Sequence, residues 1–124
     1  MTPQNIIGVV LAGGRSSRMG QPKCRVLLSG QPLLKWVVDT IEPQVSRVLI
    51  NSNLYQHSVE VSGQRLPVVP DCEPDFPGPL TGLVSAFRYL DAEQSTSDAL
   101  VIVPCDGPFL PPDLVSTLAA ALGL

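Results

Sequence analysis

The sequence predicts an α/β protein built on a doubly wound, mainly parallel sheet. Three observations carry that expectation: short apolar runs rich in Val, Ile and Leu recur along the 124 residues, amphipathic segments separate them, and a glycine-rich cationic turn follows the first run. Runs that are apolar on both faces belong in a covered parallel sheet, because a strand with one wet face alternates instead. Strand and helix in alternation, joined by right-handed crossovers, give three α/β/α layers of Rossmann-like type.

Taken in chain order, residues 6–11 form the first strand and run into the turn at 12–23. After Pro32, Leu33, Leu34, Val37, Val38 and Ile41 share one helical face, and Pro32 suits a first helical turn, where its missing N–H is no loss. Residues 47–51 and 66–69 read as the next two strands. Leu80, Leu83, Val84, Phe87 and Leu90 then make the apolar stripe of a second helix. Residues 99–103 are a fourth strand, and Leu114, Val115, Leu118 and Leu122 line a third helix opened by Pro111, Pro112 and Asp113.

The turn Leu11-Ala12-Gly13-Gly14-Arg15-Ser16-Ser17-Arg18-Met19-Gly20-Gln21-Pro22-Lys23 has the chemistry of a phosphate cradle. Glycines let main-chain N–H groups approach phosphate oxygens, and Arg18 and Lys23 add charge-assisted contacts. Its spacing matches neither the G-x-G-x-x-G dinucleotide turn nor the P-loop. Charge points to the same place: Arg15, Arg18, Lys23, Arg25 and Lys35 all precede Asp39, the first acid of the chain, while the net charge of the whole is −3. An acidic protein with one basic loop suits a small anionic ligand, whereas a polynucleotide favours a broad basic face.

In an open parallel sheet, ligands bind beyond the carboxyl ends of the strands. The turn lies there, and so do Asn51, Asp71 and Asp106, which brings four strand ends to one rim. Asp106, in Val103-Pro104-Cys105-Asp106-Gly107-Pro108, is either a Mg²⁺ ligand or the carboxylate of a Gly-Pro turn, and a neighbouring phosphate loop favours the metal. Asp71 is placed to accept hydrogen bonds from a base or a sugar. The glycines of Pro77-Gly78-Pro79-Leu80-Thr81-Gly82 either admit a flat purine or satisfy turn geometry.

With 44% hydrophobic residues the chain has one domain with one core. Cys24, Cys72 and Cys105 are odd in number and widely spaced, which indicates neither a disulfide framework nor a zinc site and suits a reducing cytoplasm. Cys24, beside Lys23, is either a reactive thiol or a small residue next to the loop, and the lack of a nearby His favours the second. The first apolar run is too short for a signal peptide or a membrane span. His57, in a polar stretch, reads as a surface residue, and no Ser/His/Asp or Cys/His nucleophile system is apparent.

Leu11-Ala12-Gly13-Gly14, Arg18-Met19-Gly20, Lys23, Asn51, Asp71, Pro77-Gly78-Pro79-Leu80 and Pro104-Cys105-Asp106-Gly107-Pro108, in that order across nearly the whole chain, closely resemble the molybdenum cofactor guanylyltransferase family. The resemblance implies a nucleotidyltransferase-type fold and an enzyme that moves GMP from GTP onto molybdopterin, with release of pyrophosphate and with Mg²⁺ as cofactor. It assigns nucleotide binding to Leu11, Ala12, Gly13, Gly14, Lys23, Asn51, Asp71, Gly78 and Asp106. Asp106 also matches the metal ligand, and Arg18, Lys23 and Asp106 form the catalytic set. Related cytidylyltransferases usually read Leu-Ala-Ala-Gly, so Gly13 favours guanine.

Two departures stand out. Pro22 occupies the place where the family commonly has Asp, removing a carboxylate and an N–H together. The family also continues past the third helix into an acceptor-binding half, so residues 1–124 are expected to be a nucleotide-binding NTP transferase domain, the N-terminal part of a longer one. The expected partners are GTP, molybdopterin and proteins of molybdenum cofactor biosynthesis or molybdoenzymes, with no nucleic acid and no membrane. The alternatives are a molybdopterin cytidylyltransferase or sugar-phosphate nucleotidyltransferase, and a non-catalytic nucleotide-binding fragment.

Overall fold

The computed structural model describes residues 5–12, 27–52, 58–70, 79–95, 97–105, 107 and 109–123. Its centre is β1 (Ile6–Leu11), whose first five residues are buried. β1 pairs in parallel with β4 (Arg47–Asn51) on one side and with β7 (Ala99–Pro104) on the other. Next to β4 lies β6 (Gln64–Val69), parallel to it, and β5 (Ser58–Val61) closes that edge antiparallel to β6. The sheet order is therefore β5-β6-β4-β1-β7, mainly parallel as the sequence predicts.

Two apolar layers sandwich the sheet. On one face Leu34, Val37, Val38 and Ile41 of α1 (Leu33–Ile41) and Val115 of α3 (Leu114–Ala121) pack on Ile6, Val10, Val48 and Ile50. On the other, Ala86 and Leu90 of α2 (Pro79–Ala92) pack on Ile7, Val9, Leu49 and Val69. Full burial of each such aliphatic side chain contributes about 1.5–3 kcal/mol, which is why the continuous Val/Ile/Leu runs sit at the centre.

Several expectations need correction. The predicted third strand begins earlier, at Gln64, because its first residues pair with β5. That hairpin was not expected, nor was the antiparallel pair β2 (Leu27–Leu28) and β3 (Gln31–Pro32). Each closes on a two-residue Ser-Gly turn, Ser29-Gly30 or Ser62-Gly63, with positive φ at both positions, the twist that matches paired strands. Pro32 ends β3 and caps α1 rather than lying inside its first turn.

The stripe expected for α2 is right at Leu90, which is buried, but Val84 and Phe87 are exposed, and Thr81, Gly82, Ser85 and Ala86 turn inward in their place. Small residues let the helix lie close on the sheet, which a Val/Phe face would hold off. On α3, Val115 is buried but Leu118 and Leu122 are exposed. Asp113 makes no side-chain cap there; the Val115 N–H donates to Gln44 Oε1 at 2.8 Å, and Gln44 Nε2 donates to the Pro111 carbonyl at 3.2 Å. A glutamine from the 3₁₀ turn Glu42–Gln44 thus satisfies one of the orphan amides of α3.

Candidate functional site at the carboxyl rim

The parallel strands β1, β4, β6 and β7 all point their carboxyl ends at one rim, and main-chain hydrogen bonds carry the ladder one residue beyond the strands. Ala12 N–H donates to the Asn51 carbonyl at 2.8 Å, Ser52 N–H to the Val69 carbonyl at 3.1 Å, and Cys105 N–H to the Leu11 carbonyl at 3.1 Å. β4 and β6 register only at Ile50↔Val68 and Asn51↔Val69, so the two strands meet at the rim. Pro67, lower on β6, has no N–H to offer.

Asn51 is the polar centre of this rim. The residue is 5% exposed, and Nδ2 donates to the Val69 carbonyl at 3.0 Å, binding the end of β4 to the end of β6. Ser52 beside it is fully buried, and Thr81 and Ser85 at the start of α2 are buried too. Ser85 Oγ donates to the Thr81 carbonyl at 2.7 Å. α2 reaches the rim through Gly82: a Cβ there would stand 2.6 Å from Leu11 Cδ2 and 2.7 Å from Asn51 Oδ1.

Of the residues assigned from the sequence, Leu11, Ala12 and Asn51 are thus brought together, Leu11 and Asn51 directly against α2. Gly13, Gly14, Arg18, Lys23, Asp71, Gly78 and Asp106 lie outside the described residues, as do Pro22, Cys24, His57 and Cys72. In the chain, positions 13, 71 and 106 directly follow Ala12, Pro70 and Cys105. Cys105 is buried. Among the described residues no three His, Cys, Asp or Glu side chains gather as a metal site. Gly82, expected with Gly78 either to admit a flat purine or to satisfy turn geometry, lies within α2 instead of in a turn. The small residues Thr81, Gly82, Ser85 and Ala86, spaced three and four apart, were the signal for a close helix.

The opposite edge of the sheet is chemically different. At the start of β4, Arg47 makes a two-pronged contact with Glu93, Nη1 to Oε1 at 2.8 Å and Nη2 to Oε2 at 3.2 Å. Its guanidinium also lies 5.8 Å from the centre of the Tyr89 ring. The Arg47 hydrogen bonds hold the Glu93 carboxyl below its ordinary range and raise Arg47 in turn, whereas burial and then Glu93 push the Tyr89 hydroxyl up. Burial raises the Asp39 carboxyl, but hydrogen bonds from Lys35 and Ser62 outweigh it and leave the group below its usual value. Between the starts of β4 and β6 lies a groove of about 450 Å³ lined in part by Arg47 and Arg65. Those guanidiniums are committed to Glu93 and Glu60, so the groove is no ready anion site.

No helix among the described residues is long and apolar enough to cross a membrane. The MobA-like NTP transferase domain family matches residues 8–123. A molybdenum cofactor guanylyltransferase of Yersinia pseudotuberculosis is 47% identical over 115 residues, covering 92% of this chain and 55% of the relative. Another, of Sinorhizobium fredii, is 42% identical over 114 residues, covering 92% and 51%. The chain spans about half the length of these relatives. Among solved structures, a nucleotidyl transferase from Methanothermobacter superposes with a TM-score of 0.66 at 25% identity, over 93% of this chain and 56% of that one.

Proposed function

This chain belongs to the MobA-like NTP transferase family, and from that premise we propose that it is the GTP-binding part of a molybdenum cofactor guanylyltransferase. The observation that carries the reading is the rim itself. Leu11 and Ala12 stand beside the buried Asn51 where β1, β4 and β6 end, and the sequence continues from Ala12 into the cationic glycine turn.

In this reading Gly13 and Gly14 present main-chain N–H groups to the triphosphate, and Lys23 and Arg18 neutralise its charge. Asn51, Asp71 and Gly78 hold the nucleoside. Asp106 offers a hard carboxylate oxygen, the donor type Mg²⁺ takes, and a divalent cation held there supplies positive charge to phosphate oxygens. The acceptor is molybdopterin, whose terminal phosphate attacks the α-phosphorus of GTP as pyrophosphate leaves. That phosphate is already anionic, so the chain needs no nucleophile of its own, and its part is to position and neutralise. Cytoplasmic proteins that supply molybdopterin or receive the finished cofactor are the expected partners.

Because the chain spans about half of its relatives, the role assigned to these residues is nucleotide binding, and transfer by the 124 residues alone is expected to be weak. Holding an acceptor in line is worth roughly 7–11 kcal/mol of barrier. Calorimetric titration with GTP, CTP and ATP, each with Mg²⁺, tests the assignment. GTP is expected to bind tightest. Equal affinities would remove the guanylyl reading and leave a generic nucleotide site.

A further inference from the structure

We infer that Gly82 is a positioning residue for the nucleotide site, acting through the carboxamide of Asn51. The inference deepens the proposed GTP site and rests on that reading. Gly82 lies in an ordinary stretch of α2 and is absent from the positive-φ glycines Gly30, Gly63 and Gly123, so backbone conformation does not explain it. Space does. A Cβ at this position would overlap Leu11 Cδ2 at 2.6 Å and Asn51 Oδ1 at 2.7 Å, both closer than real Cβ contacts come.

The two neighbours differ in how they can yield. Leu11 meets Gly82 with the far end of a flexible side chain, which turns aside at small cost. Asn51 cannot turn aside so simply, because Nδ2 is bonded to the Val69 carbonyl and the residue is buried. Swinging the carboxamide away from a new methyl group would take Nδ2 off its acceptor inside a buried site, while the Val69 carbonyl keeps the bond from the Ser52 N–H. The bare backbone of α2 at Gly82 and the end of β6 at Val69 therefore hold the carboxamide from two sides. Asn51 is fixed in orientation before a ligand arrives, which is how binding groups avoid an ordering cost on association.

Gly8 supplies the comparison. A Cβ there would meet Val45 Cγ2 at 3.3 Å and Ile41 Cγ2 at 3.4 Å, a crowded but purely apolar contact under α1. Gly8→Ala perturbs packing and leaves Asn51 alone.

The test compares the 124-residue chain with its Gly82→Ala, Asn51→Ala, doubly substituted and Gly8→Ala forms, by calorimetric titration of GTP with Mg²⁺ and by thermal unfolding. Gly82→Ala should weaken GTP at least about tenfold per folded molecule, a change of about 1.4 kcal/mol. In the Asn51→Ala background, where the carboxamide is gone, Gly82→Ala should have little further effect. Gly8→Ala should leave the affinity unchanged. If Gly82→Ala alone does not fold, adding Asn51→Ala should restore folding, and no recovery would overturn the inference. A further tenfold loss in the double variant, or wild-type affinity in Gly82→Ala, would overturn it as well. The side-chain amide resonances of Asn51 make the test independent of GTP: they should move in Gly82→Ala and hold in Gly8→Ala. If the wild type fails to bind GTP but those resonances behave so, the nucleotide reading fails and the Gly82–Asn51 coupling stands; unmoved resonances refute the coupling.

Discussion

Within the five residues of β4 the chain passes between two chemistries, from Arg47 in an open ion pair to Asn51 in a buried hydrogen-bonded rim. At the amino edge, charge meets charge in water: Arg47 with Glu93, Arg65 with Glu60, Lys35 with Asp39. Such pairs contribute little to stability, because solvent screens them and two long side chains must be ordered. At the carboxyl rim the polar groups among the described residues are main-chain amides, the Asn51 carboxamide and the buried hydroxyls of Ser52, Thr81 and Ser85, packed against glycine and aliphatic carbon. Polar atoms held there cannot be rearranged cheaply, so they suit recognition, whereas the charges of the other edge serve solubility and orientation of the elements. The middle of β4, with Val48, Leu49 and Ile50 almost wholly buried, holds the two edges together.

The largest expected effect falls on that middle. Leu49→Ala removes a fully buried side chain, and core truncations of this kind cost about 2–5 kcal/mol. Urea unfolding should show the loss, while GTP affinity per folded molecule stays near wild type. A large affinity change with little change in stability would mean that the core and the rim are not separable.

Next comes the loop that continues from the rim. Lys23→Ala should weaken GTP by about 1.5–3 kcal/mol, the usual worth of a hydrogen bond to a charged group, with the unfolding midpoint unmoved. Asp106→Ala should differ in kind: affinity measured without metal is kept, and the gain on adding Mg²⁺ disappears. If the Mg²⁺ gain survives, Asp106 is a turn residue. Titrations with and without chelator separate the two outcomes.

The smallest effect belongs to the amino edge. Arg47→Ala should lower the unfolding midpoint only slightly and leave GTP binding untouched. Its pH dependence follows from the lowered Glu93 carboxyl. A carboxylate held below its ordinary value of 4.5 adds stability above that pH and loses it as the pH falls through the lowered folded value. The difference between wild type and Arg47→Ala should therefore be present at neutral pH, shrink on acidification, and shrink with added salt. A difference that persists at acid pH would assign the effect of Arg47 to its packing on Tyr89 rather than to charge.

The same contrast explains what the sequence made legible. β1 and β4 are apolar runs in the interior of the sheet, buried on both faces, and β7 is an apolar, partly buried run beside β1; the limits of all three can be read within a residue because a continuous apolar run has little other use than such a strand. β5 reads Ser-Val-Glu-Val at a wet edge, a pattern too short and mixed to announce itself, although Ser62-Gly63 after it was a hairpin signal. α2 misled for a physical reason. Periodicity weights large apolar groups, so Val84 and Phe87 attracted the assignment, yet the helix is seated by the smallness of Thr81, Gly82, Ser85 and Ala86. At the site, the strand topology brings Leu11, Ala12 and Asn51 together as expected. The contact of Gly82 with Asn51 spans two distant segments, and nothing in local sequence states which side chain a glycine makes room for.

The central claim is that ligand recognition belongs to the carboxyl rim and not to the charged amino edge. Backbone amide NMR during titration of the 124-residue chain with GTP and Mg²⁺ tests it most directly. The account predicts shifts concentrated at Ala12, Asn51, Ser52, Gly82 and Cys105, with Asn5, Arg47, Glu93 and Asp98 unmoved. Shifts gathered at Arg47, Glu93 and Asp98, with Asn51 and Gly82 silent, would contradict it.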